Sequence, residues 1–234
     1  MASGEIALIV GAGQGLSASL ARLCAREGMR VALAARNAEK LEALAAETGA
    51  RAYACDAGDP AAVARLFASV RSDHGGDPSL VVFNASARHR APVGELDPAR
   101  IEETLRVNAL GGFCVAQAAA KTMIPAGRGT ILLTGATASV KGLPQSTAFA
   151  MGKFALRALA QCLARELAPQ GVHVAHFVID GGIASSMRSD RPADGAEDRW
   201  LDPDAIAREY LHVHRQHRSA WTWEVELRPW VERF

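Results

Sequence analysis

The chain has 234 residues, of which 49% are apolar, and a formal net charge of +1. Such a composition supports a sizeable core and excludes a disordered chain, while the lack of a basic block argues against nucleic-acid binding. No run of about 18 uncharged apolar residues marks a membrane span, and Glu5 interrupts any basic-then-apolar secretion signal. The four widely spaced cysteines fit reduced thiols in a cytoplasmic protein better than a disulfide framework.

Ile6–Val10 is a continuous apolar run, read as a strand, and Gly11-Ala12-Gly13-Gln14-Gly15-Leu16-Ser17 leads from it into a helix through Ala25. A glycine-rich turn between strand and helix brings backbone N–H groups to an anion at the positive helix end, as for a dinucleotide pyrophosphate. Gly11, Gly13, Gln14, Gly15 and Leu16 are the candidates for that contact. A second strand, Val31–Ala35, ends at Arg36-Asn37. An acid there would accept from the 2′-OH of NAD, whereas a guanidinium accommodates the 2′-phosphate of NADP. No acid ends this strand, so NADP is expected over NAD unless Arg36 is only a solvated surface residue.

Ala38–Glu47 reads as a helix with Leu41 and Leu44 facing inward, and Arg51–Cys55 as a third strand ending at Asp56. Asp56 or Asp59 could cap the following helix, which starts at Pro60. The fourth strand, Leu80–Phe83, runs into Asn84-Ala85-Ser86-Ala87, small residues that leave room for a ribose. His89 and Arg90 lie in the loop beyond. Asp97-Pro98 opens a helix expected to continue through Leu105 to Lys121. Asn108 lies inside it, an unfavourable place for Asn without a special role.

Thr130–Leu167 reads as a buried strand around Ile131–Leu133, a loop punctuated by Gly142 and Pro144, and a long helix from Gln145 or Ser146. Phe149 and Lys153, four residues apart, share one face of that helix. Val172–Ile179 is a buried parallel strand ending in Asp180-Gly181-Gly182-Ile183. Residues 184–203 are polar and rich in Arg, Asp and Pro, either a substrate lid or a flexible surface loop. With the tail helix, this lid region extends to about residue 220. The tail helix carries His212, His214 and His217, whose spacing makes no metal site. A last strand spans Glu224–Leu227, with Trp221, Trp223 and Trp230 expected in the core or a subunit interface. Seven strands alternating with helices imply right-handed crossovers and one α/β Rossmann-type domain, doubly wound and mainly parallel.

Across nearly the whole chain, Gly11-x-x-x-Gly15-x-Ser17, Asn84-Ala85-Ser86, Asn108-x-x-Gly111 and Lys153 resemble, in order and spacing, the motifs of the short-chain dehydrogenase/reductase family. The resemblance has departures. Ser17 stands for the last glycine of the turn, Phe149 for the catalytic Tyr, and Asp180-Gly181 for the usual Pro-Gly. Ala136 stands for the catalytic Ser, thirteen residues before Phe149, with Thr134, Thr137 and Ser139 nearby. The resemblance implies that Asp56 and Ala57 hold the adenine and that Asn84, Ala85 and Ser86 lie beside a ribose. It implies that Gly182 and Ile183 meet the nicotinamide and its carboxamide. Lys153 would bind the nicotinamide ribose, and Asn108 would bend its helix and link to Lys153 through a water on its carbonyl.

It further implies hydride exchange with a small carbonyl or alcohol substrate. Because phenylalanine cannot transfer a proton, the proton step is altered or weakened. Of the two tyrosines, Tyr53 lies on the adenine side, and Tyr210 reaches the site only if the tail helix folds over it. The alternatives are a non-catalytic NADP-binding sensor or partner subunit, and a non-redox lyase or hydrolase on the same fold. Family members often pair through the helices that carry Asn108 and Lys153, so a homodimer or homotetramer is expected.

Overall fold

The apolar runs become the strands of one parallel sheet in a computed structural model that describes residues 4–184 and 196–232. In chain order the seven are β1 (Ile6–Val10), β2 (Arg30–Ala35), β3 (Arg51–Ala54), β4 (Leu80–Phe83), β5 (Gly129–Thr134), β6 (Val172–Ile179) and β9 (Glu224–Leu227). Their spatial order is β3-β2-β1-β4-β5-β6-β9. Two short strands, β7 (Gly182–Ile183) and β8 (Trp200–Leu201), pair separately. The chain winds outward from β1 in both directions, so the crevice beyond the carboxyl ends of β1 and β4 is the switch point at which such sheets bind ligands.

Among the described residues seven helices cover the sheet: α1 (Leu16–Arg26), α2 (Glu42–Thr48), α3 (Pro60–His74), α4 (Pro98–Leu105), α5 (Gly111–Ala126), α6 (Thr147–Leu167) and α7 (Pro203–His214). Alternate strand residues feed opposite layers, because successive side chains point to opposite faces. Leu8 and Val10 join α3, α5 and α6 in one core, and Ala7 and Ile9 join α1 and α7 in the other. The cap left open at α3 is Asp59, which accepts from the Ala61 N–H at 2.9 Å ahead of Pro60. Asp97 caps α4 and Asp202 caps α7 in the same way.

One expectation needs correction and two gain detail. The helix expected from Asp97-Pro98 through to Lys121 is broken: α4 and α5 are separated by one π turn, Arg106–Leu110, and Asn108 sits inside it. Such a bulge widens the helix and re-aims the side chains on it. Trp230 lies outside the core, 81% exposed on the single chain, which leaves the subunit-interface alternative for it, whereas Trp221 stacks on His173 with ring centroids 4.7 Å apart. The polar segment read as a substrate lid or surface loop takes regular form near its end, with a 3-10 turn at Ala196–Arg199 followed by β8. Its residues 185–195 lie outside the described residues. All four cysteines are free. No described helix is long and apolar enough to cross a membrane.

Candidate active site

A cleft of about 1020 Å³ opens at the carboxyl ends of β1, β2 and β4. The glycine-rich turn forms its floor, through Gly11, Gly13 and Gln14, and Asn84, Ala85 and Ser86 form the side after β4. Gly11 is at φ +84°, and a Cβ there would lie 2.1 Å from the Ala85 backbone nitrogen. Only glycine lets the two loops close to this distance. The Gly11 and Ala12 N–H groups both donate to the Ala34 carbonyl, at 2.8 and 2.9 Å. Ser17, where a glycine was expected, is buried. Its hydroxyl donates to the Gly11 carbonyl at 3.3 Å and accepts from Asn84 Nδ2 at 2.7 Å, tying turn, helix and β4 together.

Arg36 and Lys40 line the cleft after β2, both exposed. Lys40 was missed in the sequence, although its four-residue spacing from Arg36 was a usable signal. Asp56 and Ala57 line the cleft after β3. Asp56 accepts from the Gly58 N–H at 2.9 Å and from Arg106 at 2.8 Å. Burial pushes its carboxyl up, but the Arg106 hydrogen bond and charge outweigh this and hold it below the usual range.

A smaller hollow of about 310 Å³ adjoins the cleft, since Gln14 and Asn84 line both. Gly15, Leu16, Gly182 and Ile183 line it on one side, and Thr134, Gly135 and Ala136 on the other. The Ala136 N–H donates to buried Ser139 Oγ at 3.1 Å, which fixes the turn after β5. Every residue expected to hold a cofactor therefore borders one of these two spaces, except Lys153.

Lys153 stands behind the wall. It is 3% exposed, its Nζ donates to the Thr134 carbonyl at 2.7 Å, and burial lowers its pKa to about 8. Its ammonium lies 5.8 Å from the centre of the Phe149 ring, and the Arg88 guanidinium lies 5.3 Å from the same ring. Tyr210 reaches Thr134 from the core side: α7 packs beside α1, and the phenol donates to Thr134 Oγ1 at 3.0 Å, but Tyr210 lines neither space. Tyr210 is fully buried against Phe177, which raises its pKa. Tyr53 instead donates to Asp73 of α3.

Asn108 is fully buried, and its side-chain amide embraces one peptide, accepting from the Ala87 N–H at 2.9 Å and donating to the Ala87 carbonyl at 3.0 Å. Gly152 of α6 presses on it; a Cβ there would sit 2.9 Å from Asn108 Nδ2. A second polar group escaped sequence reasoning. His176 in β6 shares a hydrogen bond with Glu224 of β9 at 3.1 Å, and Arg157 holds that carboxylate with two bonds of 2.6 and 2.8 Å. Burial pushes His176 down to about 4. Its Nε2 faces Gly135, where a Cβ would lie 2.3 Å away. Asp180, also buried, has Lys141 at 3.6 Å. In the tail, His214 meets Thr130 and Glu5, and His217 meets Ser219.

The short chain dehydrogenase family model matches residues 5–195. This chain belongs to the short-chain dehydrogenase family. It is 35% identical over 221 residues to D-threitol dehydrogenase of Mycolicibacterium smegmatis, covering 87% of this chain and 83% of that relative. It superposes on a short-chain dehydrogenase from Rhodopseudomonas palustris with a TM-score of 0.83, at 33% identity, over 97% of this chain and 100% of the other. A metagenomic short-chain oxidoreductase in complex with NADP also gives a TM-score of 0.83, at 28% identity, over 97% and 98% of the two chains. The expected oxidoreductase class is that of these named relatives.

Proposed function

We propose that this short-chain dehydrogenase is an NADP-dependent oxidoreductase acting on a small carbonyl or alcohol, with the whole chain forming one dinucleotide-binding unit. The observation that carries the reading is the Gly11–Ala85 approach, which no side chain could permit, at the head of a cleft with two cations at its far end. The glycine-rich turn and the N-terminus of α1 take the pyrophosphate. Arg36 and Lys40 take the 2′-phosphate, and Asp56 and Ala57 border the adenine. Asn84, Ala85 and Ser86 lie along a ribose, and Gly182 and Ile183 border the nicotinamide.

When bound, the nicotinamide supplies or accepts the hydride. The protein's part is to place the substrate and to move a proton. Phe149 takes the place of the family Tyr and Ala136 that of the Ser, so neither can donate to the substrate oxygen. Lys153 is the group suited to proton exchange near neutrality, since burial brings its pKa to about 8. To act, it turns from the Thr134 carbonyl toward the ribose and releases a proton from Nζ to the substrate oxygen, to be reprotonated by solvent. Asn108 supports this end of the site by fixing Ala87 and bending the helix at the π turn. The dehydrogenase and reductase relatives favour this catalytic reading over a cofactor sensor. Leu110, Phe113, Met151 and Phe154 are exposed on the α5 and α6 side, which supports pairing of two copies there.

Fluorescence titration with NADPH and NADH tests the reading. NADPH is expected to bind at least tenfold tighter, and the double substitution Arg36→Ala, Lys40→Ala to erase the difference, since charged hydrogen bonds contribute about 1.5–3 kcal/mol. Failure of either nucleotide to bind overturns it.

A further inference from the structure

His176 stands on β6 opposite Leu133 of β5, and its side chain is fully buried. Its Nδ1 lies 3.1 Å from Glu224 Oε2. Arg157 grips the same carboxylate with two bonds, of 2.6 and 2.8 Å, and holds it below the usual carboxylate range. An ionised carboxylate only accepts, so Nδ1 carries the ring proton and donates it to Glu224. Nε2 is then a bare acceptor, and it has no hydrogen-bond partner among the described residues. A buried polar atom in that state is uncommon and costly. The turn after β5 is shaped around it all the same: Nε2 points at Gly135, where a Cβ would lie 2.3 Å away, so only glycine leaves room for the ring.

Lys153 reaches the same peptide unit from α6. Its Nζ donates to the Thr134 carbonyl at 2.7 Å, and burial weighs against its charge. Burial also holds His176 down to about 4, and the nearby Lys153 charge adds to this against the pull of Glu224. The ring is therefore neutral at pH 7 and remains an acceptor. We propose that His176 is a positioning residue for Lys153: clamped by Glu224 and Arg157, it turns its bare Nε2 toward the peptide on which the ammonium sits and steadies that charge until the substrate oxygen takes the proton. The inference rests on the reading of Lys153 as the proton donor. In a buried setting the negative end of an imidazole dipole favours a cation beside it, and the carboxylate behind the ring deepens that dipole. His176 itself takes no proton. The other charged or titratable groups around the pair are fixed elsewhere: Tyr210 bonds Thr134 Oγ1 and stays a phenol, Arg88 lies over Phe149, and Lys141 faces Asp180 at the end of β6.

The lysines of the chain are Lys40, Lys121, Lys141 and Lys153, so an NMR titration with isotopic label at lysine Cε reads Lys153 directly, its signal assigned by its absence from Lys153→Met. In the parent it is expected to titrate at about 8. In His176→Leu the midpoint is expected to fall by about one pH unit or more, a tenfold loss of proton affinity. His176→Gln, whose amide can donate to Glu224 and turn its oxygen to the same peptide, is expected to restore most of it. The imidazole nitrogen shifts of the parent, which need no variant, are expected to show Nδ1 protonated and Nε2 bare. An unchanged Lys153 midpoint in His176→Leu, a Gln variant no better than Leu, or a proton on Nε2 overturns the proposal. Failure of NADPH to bind would instead sink the cofactor reading.

Discussion

The two walls of the cleft are built on opposite terms. The wall formed by the loops after β1, β2 and β4 presents backbone and exposed charge: Gly11, Gly13, Arg36 and Lys40 border open space. The wall formed by β5, β6 and α6 turns its polar groups inward. Lys153 bonds to Thr134, Tyr210 to Thr134, Ser139 to Ala136, and His176 to Glu224. A binding surface has to offer unsatisfied donors to its ligand. A wall whose donors are bonded within the protein is rigid, and it must break a bond before it can act. The comparison teaches that one wall is open to a ligand as it stands, whereas the other must first release its own hydrogen bonds.

The comparison can be broken most severely at Phe149. If the inward-turned wall lacks only a proton donor, Phe149→Tyr raises carbonyl reduction by roughly 10²–10⁴-fold, the usual contribution of general acid catalysis, measured as NADPH oxidation with a carbonyl panel. No gain means that the wall serves another geometry. On the opposite wall, Gly11→Ala drives a methyl group into the Ala85 backbone at a positive φ. Overpacking and the unfavourable backbone together cost about 3–4 kcal/mol, read from urea unfolding, with NADPH binding lost.

The inward-turned groups also predict an acid sensitivity. The unfolded chain protonates His176 near its ordinary value of 6.5, whereas the folded protein resists until about 4. Between those values the unfolded state binds more protons, so stability falls as pH falls, by about 3 kcal/mol in total for this residue. Burial lowers His74, His173 and His214 as well, so the acid loss is shared. Chemical denaturation at pH 7 and pH 4.5 should give a smaller difference in His176→Gln than in the parent. The smallest effect belongs to the half-exposed Arg22–Glu47 pair joining α1 to α2, with its 2.7 Å contact. Arg22→Ala should leave the urea midpoint nearly unchanged, because exposed pairs are screened.

The sheet was legible because its signals are local. β1, β4 and β6 have the boundaries that their apolar runs suggest, β9 follows an alternating Glu-Val-Glu-Leu, and the residues flanking the glycine-rich turn announced the cleft. What the sequence concealed depends on contacts between distant segments. His176 and Glu224 meet only because β6 and β9 pair in a register that sets them side by side. Asn108 was singled out correctly as unusual, yet nothing in its neighbourhood revealed that its amide clasps Ala87, twenty-one residues earlier. The π turn leaves no trace in a helical periodicity that continues on both sides of it. Ser17 looked like a mere loss of glycine, and only the folded chain shows the hydroxyl joining Gly11 to Asn84.

The tryptophans divide the molecule optically. All four fall between residues 200 and 230: Trp200 opposite Gly182, Trp221 on His173, Trp223 beside Arg157 and Trp230 in solvent. Selectively excited indole emission therefore watches the carboxyl-terminal portion alone. The portion holding the glycine-rich turn stays dark, and any energy transfer to a bound dihydronicotinamide reports the approach of its reduced ring to the Gly182 edge.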